Sequence, residues 1–237
     1  METNNQQNNL IKTPEQILNI MKASAMGDMC FSHILGYIKT GMTEMQVANE
    51  IERVLLSLGA EGLSFETICV SGDRTAFPHG EPSEKIIEEG DFVTMDFGAI
   101  VNGYCGDMTR TVAMGKVTGE QRKVYNIVLA AQLAGIDSIK AGVSCFDVDK
   151  AARDIIAEAG YGEYFVHGTG HGVGTQVHEA PTLNSKSDEI LEEHMPVTIE
   201  PGIYMPEKFG VRIEDLAIVT KFGIINTVNS SKDLIIL

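Results

Sequence analysis

The sequence predicts an α+β fold in which two pseudo-symmetric α/β halves face a shared acidic centre, and three observations predict it. Capping signatures open helices in both halves of the chain, an Asn-Gly hairpin carries two aspartates on one face, and the order of elements repeats once. No Pro-, Gly- or Ser-rich stretch separates the halves, so they are read as one domain.

Residues 1–9 are low-complexity and polar, a composition that predicts disorder, and this tail is expected to reach residue 12 before a domain spanning 13–237. Thr13 caps the first helix, with Pro14 at its first position and Gln16 closing a capping box; the helix is expected to run to Lys39, with Gly41 just beyond. A second box, Thr43 to Gln46, opens a helix with Val47, Ile51, Val54, Leu55 and Leu58 on one stripe and Gly59 as its stop. A β-rich stretch follows at residues 67–71, then a loop over 72–90 that contains Phe77-Pro78-His79-Gly80.

Residues 95–111 predict a hairpin. Asn102-Gly103 favours a two-residue type I′ turn, because both central positions must tolerate positive φ. That turn sets Val101 against Tyr104, Gly98 against Asp107 and Asp96 against Thr109. Asp96 and Asp107 then become diagonal neighbours on one face, roughly 7 Å apart. On an exposed hairpin they would be two solvated aspartates, but in a strand of apolar character they repel unless a cation lies between them.

A third box, Thr118 to Gln121, opens a long helix to about Lys140, followed by a helix from about Phe146 to Ala159. Here the chain repeats itself. Ile38-Lys39-Thr40-Gly41-Met42-Thr43 returns as Ile139-Lys140-Ala141-Gly142-Val143-Ser144, and at the same offset Val47 meets Val148 and Gly59 meets Gly160. A second strand pair is expected around residues 198–202 and 210–215. A connection centred on Glu207 places Glu200 opposite Glu214. Between the halves lies the Gly-rich run from His167 to Gly174, followed by His178-Glu179-Ala180-Pro181; it lacks the Lys-Ser/Thr of a phosphate loop.

The net charge of −15 argues against a nucleic-acid partner. The polar start has no basic segment followed by an apolar one, and no run is long enough to cross a bilayer; the cytoplasm and no membrane partner are therefore expected. Cys30, Cys69, Cys105 and Cys145 are scattered, without a CxxC pair, and read as small core thiols.

Asp96, Asp107, His171, Glu200 and Glu214 form a set with one nitrogen and many carboxylate oxygens. Four carboxylates nearly balance two dications. Such an oxygen-rich set leans towards Mn²⁺ or Co²⁺, with Fe²⁺ or Zn²⁺ as alternatives.

Phe77-Pro78-His79-Gly80, Met95-Asp96-Phe97-Gly98-Ala99, the run Gly103 to Thr111, His167 to Gly174 with His178-Glu179-Ala180-Pro181, Glu200-Pro201-Gly202 and Val211-Arg212-Ile213-Glu214-Asp215 together resemble the pita-bread metallopeptidases. The nearest pattern is that of the proline-specific branch, prolidase and aminopeptidase P. The resemblance covers roughly residues 13–230 in the right order.

It implies a pita-bread fold around a dinuclear site, with Asp96 on one metal, Asp107 and Glu214 bridging, and His171 and Glu200 on the other. It implies that a hydroxide held between the metals attacks the peptide carbonyl, with Glu200 handling its proton and His79 and His178 meeting the substrate around the scissile bond. Thr109 and Arg212 are read as groups that orient the carboxylates; for Arg212 a plain surface ion pair is the equal alternative. The implied partners are short peptides with a free N-terminus, and a homodimer is compatible with this reading.

One departure is the short polar start, since proline-specific members usually carry a further N-terminal domain and the single-domain layout is that of methionine aminopeptidases. Their Cys-His-Gly and Glu-His-Thr are here Pro78-His79-Gly80 and Glu214-Asp215-Leu216. Methionine aminopeptidase is thus the alternative, and preference between dipeptides and longer peptides stays open. A non-catalytic peptide- or protein-binding paralogue is the alternative of another class; loss of ligands would be its mark, and none of the five is lost.

Overall fold

A computed structural model describes residues 10–237, so the expectation of disorder over residues 1–9 falls outside the described residues. Residues 10–12 were expected to end the tail but belong to the fold: Lys12 is buried, its amide donates to His194 O at 3.1 Å, and its ammonium meets Glu179 Oε2 at 2.8 Å.

The first half begins with α1 (Pro14–Tyr37) and α2 (Glu44–Ser57), both entered through complete capping boxes at Thr13 and Thr43. α1 stops two residues short of Lys39 because Ile38 turns extended and is buried. Three antiparallel strands follow: β1 (Ile68–Ser71), β2 (Phe92–Phe97) and, after the short pair β3 (Ile100–Val101) and β4 (Tyr104–Cys105), β5 (Met108–Ala113), in the order β1-β2-β5. Asn102 and Gly103 both take positive φ, 49° and 76°, and the register is the expected one, with Asp96 opposite Thr109 and Val101 opposite Tyr104.

The second half repeats the plan with α3 (Gly119–Ser138) and α4 (Cys145–Glu158). α4 opens one residue before Phe146 because Ser144 is its cap, its hydroxyl accepting from Asp147 N. The repeat is conformational as well as sequential. Gly41 and Gly142 take φ of 91° and 90°, and Gly59 and Gly160 take 97° and 87°. Each helix entry is also pinned by an isolated antiparallel bridge, Thr43 to Ile86 in one half and Ser144 to Ile190 in the other.

The second sheet has five strands in the order β12-β11-β8-β6-β7, from β6 (Gly170–Gly172), β7 (Glu179–Leu183), β8 (Pro196–Ile199), β11 (Asp215–Thr220) and β12 (Gly223–Asn226). The hairpin β9 (Gly202–Met205) and β10 (Phe209–Arg212) turns at Glu207, with φ of 61°. Its pairs, Gly202 with Arg212, and the β8–β11 pair Ile199 with Asp215, share one register, which sets Glu200 against Glu214 in the break between them.

The Gly-rich run is therefore not a connector between the halves. Its centre is a strand inside the second sheet, where β6 lies so close to β8 that a Cβ on Gly170 would stand 1.9 Å from Thr198 O. One apolar core unites α1, α2, β1 and β2 with Leu216 and Ile218 of β11, while two others pack α3 and α4 against the second half's strands. The halves are stitched where Glu214 N donates to Thr109 O at 3.1 Å and the Thr111 hydroxyl donates to Arg212 O at 2.9 Å.

Candidate metal centre

β2 and the β4–β5 junction present Asp96 and Asp107 from the first half; β6 and the β8–β9 and β10–β11 junctions present His171, Glu200 and Glu214 from the second. All five line one cavity of about 1170 Å³, together with His79, His178, His167 and Arg212. Asp96, Asp107 and Glu214 are all buried.

His171 Nδ1 lies 3.0 Å from Gly172 O, so the ring donates there and Nε2 faces the acids, 3.3 Å from Glu200 Oε1 and 3.7 Å from Asp107 Oδ2. A nitrogen so placed calls for a proton or a metal ion between it and the carboxylates. Ligand atoms of Asp107, His171 and Glu214 all lie within 4.8 Å of one another, and these groups could hold a cation.

Arg212 is a buried brace. It donates to Asp96 Oδ2 at 2.6 Å, to the Thr109 hydroxyl at 3.1 Å, to Pro78 O at 3.1 Å and to Tyr204 Oη at 2.9 Å. Thr109 passes the alignment on, its hydroxyl donating to Glu214 Oε2 at 2.7 Å. At 3% exposure Arg212 is a different object from the surface ion pair that the sequence left as the equal alternative.

After these bonds are made, Asp96 Oδ1 and Glu214 Oε1 remain buried with no hydrogen-bond partner among the described residues. Burial, reinforced by the neighbouring carboxylates, pushes Asp107 and Glu214 well above the usual carboxylate range. Asp96 is raised too, by burial, although Arg212 draws it down. In Glu200 burial is outweighed by the hydrogen bond and charge of His171, and its carboxyl is lowered. Burial likewise works to lower His171, and Glu200 outweighs it, leaving the imidazole raised. Orphaned carboxylate oxygens aimed into one cavity, with too few cations to neutralise them, fit divalent ions.

The sequence reading missed the supports behind these groups. Tyr204 is buried and joins Arg212 to His167, whose Nε2 lies 2.7 Å from the phenol oxygen. Thr198 accepts from His171 N at 3.0 Å. Asp149 on α4 accepts from both the amide and the hydroxyl of Thr169 and is itself gripped by Arg153. The Thr198–His171 and Asp149–Thr169 bonds bridge segments at least 20 residues apart, and neither leaves a local pattern.

Fold and site together define a member of a metallopeptidase family: the chain belongs to metallopeptidase family M24, whose pattern matches residues 19–221, and its fold is the pita-bread fold. Over 228 residues it is 48% identical to the uncharacterized peptidase YqhT of Bacillus subtilis, covering 96% of this chain and 65% of that protein. Among solved structures, the Xaa-Pro dipeptidase from Bacillus anthracis superposes with a TM-score of 0.97 at 50% identity, covering 98% of this chain and 65% of that one. The prolidase from Pyrococcus furiosus does so with a TM-score of 0.95 at 41% identity, covering 98% and 68%. The chain thus spans about two thirds of the length of these relatives.

Four free cysteines are buried, as the scattered spacing implied. No helix among the described residues is long and apolar enough to cross a membrane.

Proposed function

We propose that residues 13–237 form the catalytic domain of an exopeptidase that hydrolyses the bond between an N-terminal residue and proline, acting with two divalent ions, Mn²⁺ or Co²⁺ first. The observation that carries this reading is that His79 and His178, from different halves, line the same cavity as Asp96, Asp107, His171, Glu200 and Glu214. The likeness to the Xaa-Pro dipeptidase from Bacillus anthracis, at 50% identity, supports the substrate class.

Asp96 would hold one ion, His171 and Glu200 the other, and Asp107 and Glu214 both. Bound there, the ions supply Lewis acidity and activate water. Glu200, held as a carboxylate where it meets the ions, would accept a proton from the attacking water. It then returns that proton to the departing proline nitrogen.

His178 is lowered chiefly by burial, so it stands neutral and donates a hydrogen bond to the oxygen on which charge develops. His79 faces the same volume from the opposite half. An Xaa-Pro bond is a tertiary amide, so the site needs no acceptor for an amide hydrogen and must instead admit a ring.

The test offers Met-Pro, Ala-Pro, an Xaa-Pro-Xaa peptide and Met-Ala-Ser side by side with Mn²⁺ or Co²⁺. Preference for the proline substrates is the expected result, and the ratio of dipeptides to the longer peptide separates dipeptidase from aminopeptidase action. Efficient release of methionine from Met-Ala-Ser with neglect of the proline peptides would make the protein a methionine aminopeptidase. Failure to cleave any peptide, with ligands intact, would leave the binding paralogue.

A further inference from the structure

His79 reaches the cavity from the middle of a long loop, and among the described residues its ring makes no hydrogen bond to the chain. Its position therefore depends on the backbone of that loop. The loop leaves β1 at Ser71, passes through a 3-10 turn (Gly72–Ala76) and returns at Ser83 beside the start of α2. On the cavity side it is held by Arg212, which donates to Pro78 O, and by Gly210 N, which donates to the Thr75 hydroxyl at 2.7 Å.

On the far side both ends converge on one carboxylate. Glu44, the first residue of α2, is fully buried. Its Oε1 accepts from the amide and hydroxyl of Ser71 at 2.7 and 2.9 Å. Its Oε2 accepts from the amide and hydroxyl of Ser83 at 3.1 and 2.7 Å, and from Arg74 Nε at 3.0 Å. Arg74 in turn donates from Nη2 to Glu81 O at 2.5 Å, two residues past His79. Nothing in the metal centre needs Glu44, and it does not line the cavity.

We propose that Glu44 is a positioning residue for the reaction: by clamping Ser71, Arg74 and Ser83 it fixes the loop that carries His79 to the substrate. The inference rests on the role for His79 proposed above. Because each carboxylate oxygen takes a backbone N–H, Glu44→Gln is a sharp probe. Its amide group must face one of those donors with donors of its own, releasing one end of the loop at almost unchanged volume.

The experiment compares wild type, Glu44→Gln, Ser83→Ala, His79→Ala and the double variant Glu44→Gln/His79→Ala, each metal-loaded and assayed on the peptide that wild type cleaves best. Misplacing a catalytic group by about 1 Å can lower the rate by up to about 100-fold. Glu44→Gln should lower kcat by roughly tenfold or more, with metal content retained and KM changed by less than about twofold. In the His79→Ala background the same change should lower kcat by less than about twofold, because what it positions is gone. Ser83→Ala should show the same pattern more weakly, and decides the matter if Glu44→Gln does not fold.

The histidine NMR signal of His79 should shift or split in Glu44→Gln while that of His178 stays. This readout holds even if no Xaa-Pro peptide is a substrate, so the two readings fail separately. An equal loss of kcat in both backgrounds, or an unmoved His79 signal, would overturn the proposal.

Discussion

Arg212 of the second half donates to Asp96 of the first at 2.6 Å, and both groups are buried. One guanidinium therefore bridges the two acidic hairpins before any ion binds. Arg212→Met would leave Asp96 and Glu214 without that counter-charge. Removing one partner of a buried pair typically costs about 3 to 5 kcal/mol. Denaturant unfolding of the metal-free protein should show a loss of that size, and a smaller loss once ions are supplied. An unchanged midpoint would show that the brace contributes little.

Gly170→Ala tests the close approach of β6 to β8. The added Cβ would meet Thr198 O at 1.9 Å, so the strand carrying His171 must move. Overpacking of this kind typically costs about 1 to 3 kcal/mol. The thermal midpoint should fall and metal affinity should fall with it, since His171 is the next residue. Full affinity in a destabilised variant would separate strand packing from ligand placement.

The pH dependence follows from the direction of the carboxylate shifts. Asp107 and Glu214 are raised above their unfolded values, chiefly by burial. Stability from such groups is complete below the unfolded value of about 4 and is lost as pH rises through the folded value. Metal-free protein should therefore lose stability from acid towards neutral pH. With ions bound the carboxylates stay ionised and that loss disappears. Melting curves with chelator and with Mn²⁺ should diverge as pH rises; a constant gap would contradict the assignment of these carboxylates.

Much of this was legible where the signal is local or arithmetic. Thr13, Thr43 and Thr118 announce their helices through boxes that span four residues, and all three form. Asn102-Gly103 sets a register by counting outward, and Glu207 does the same for Glu200 and Glu214. Lys39 failed as a helix end because nothing local marks the turn that buries Ile38.

Glu44, Asp149, Thr198 and Tyr204 were not legible as supports. Glu44 reads as an ordinary acid in a helix's first turn, and only the return of the chain at Ser83 reveals five donors around it. Tyr204 reads as one more β-former, and its hydroxyl gains meaning only between Arg212 and His167, the latter 37 residues away.

The function proposed above requires that the buried acids and His171 hold two ions on which hydrolysis depends. Its most direct test is calorimetric titration of verified metal-free protein with Mn²⁺, with Xaa-Pro hydrolysis followed at each addition. Two equivalents should bind, activity should appear with them, and Asp107→Ala should lose both. Metal-free protein cleaving the peptide at the full rate, or Asp107→Ala binding two ions as wild type does, would contradict it.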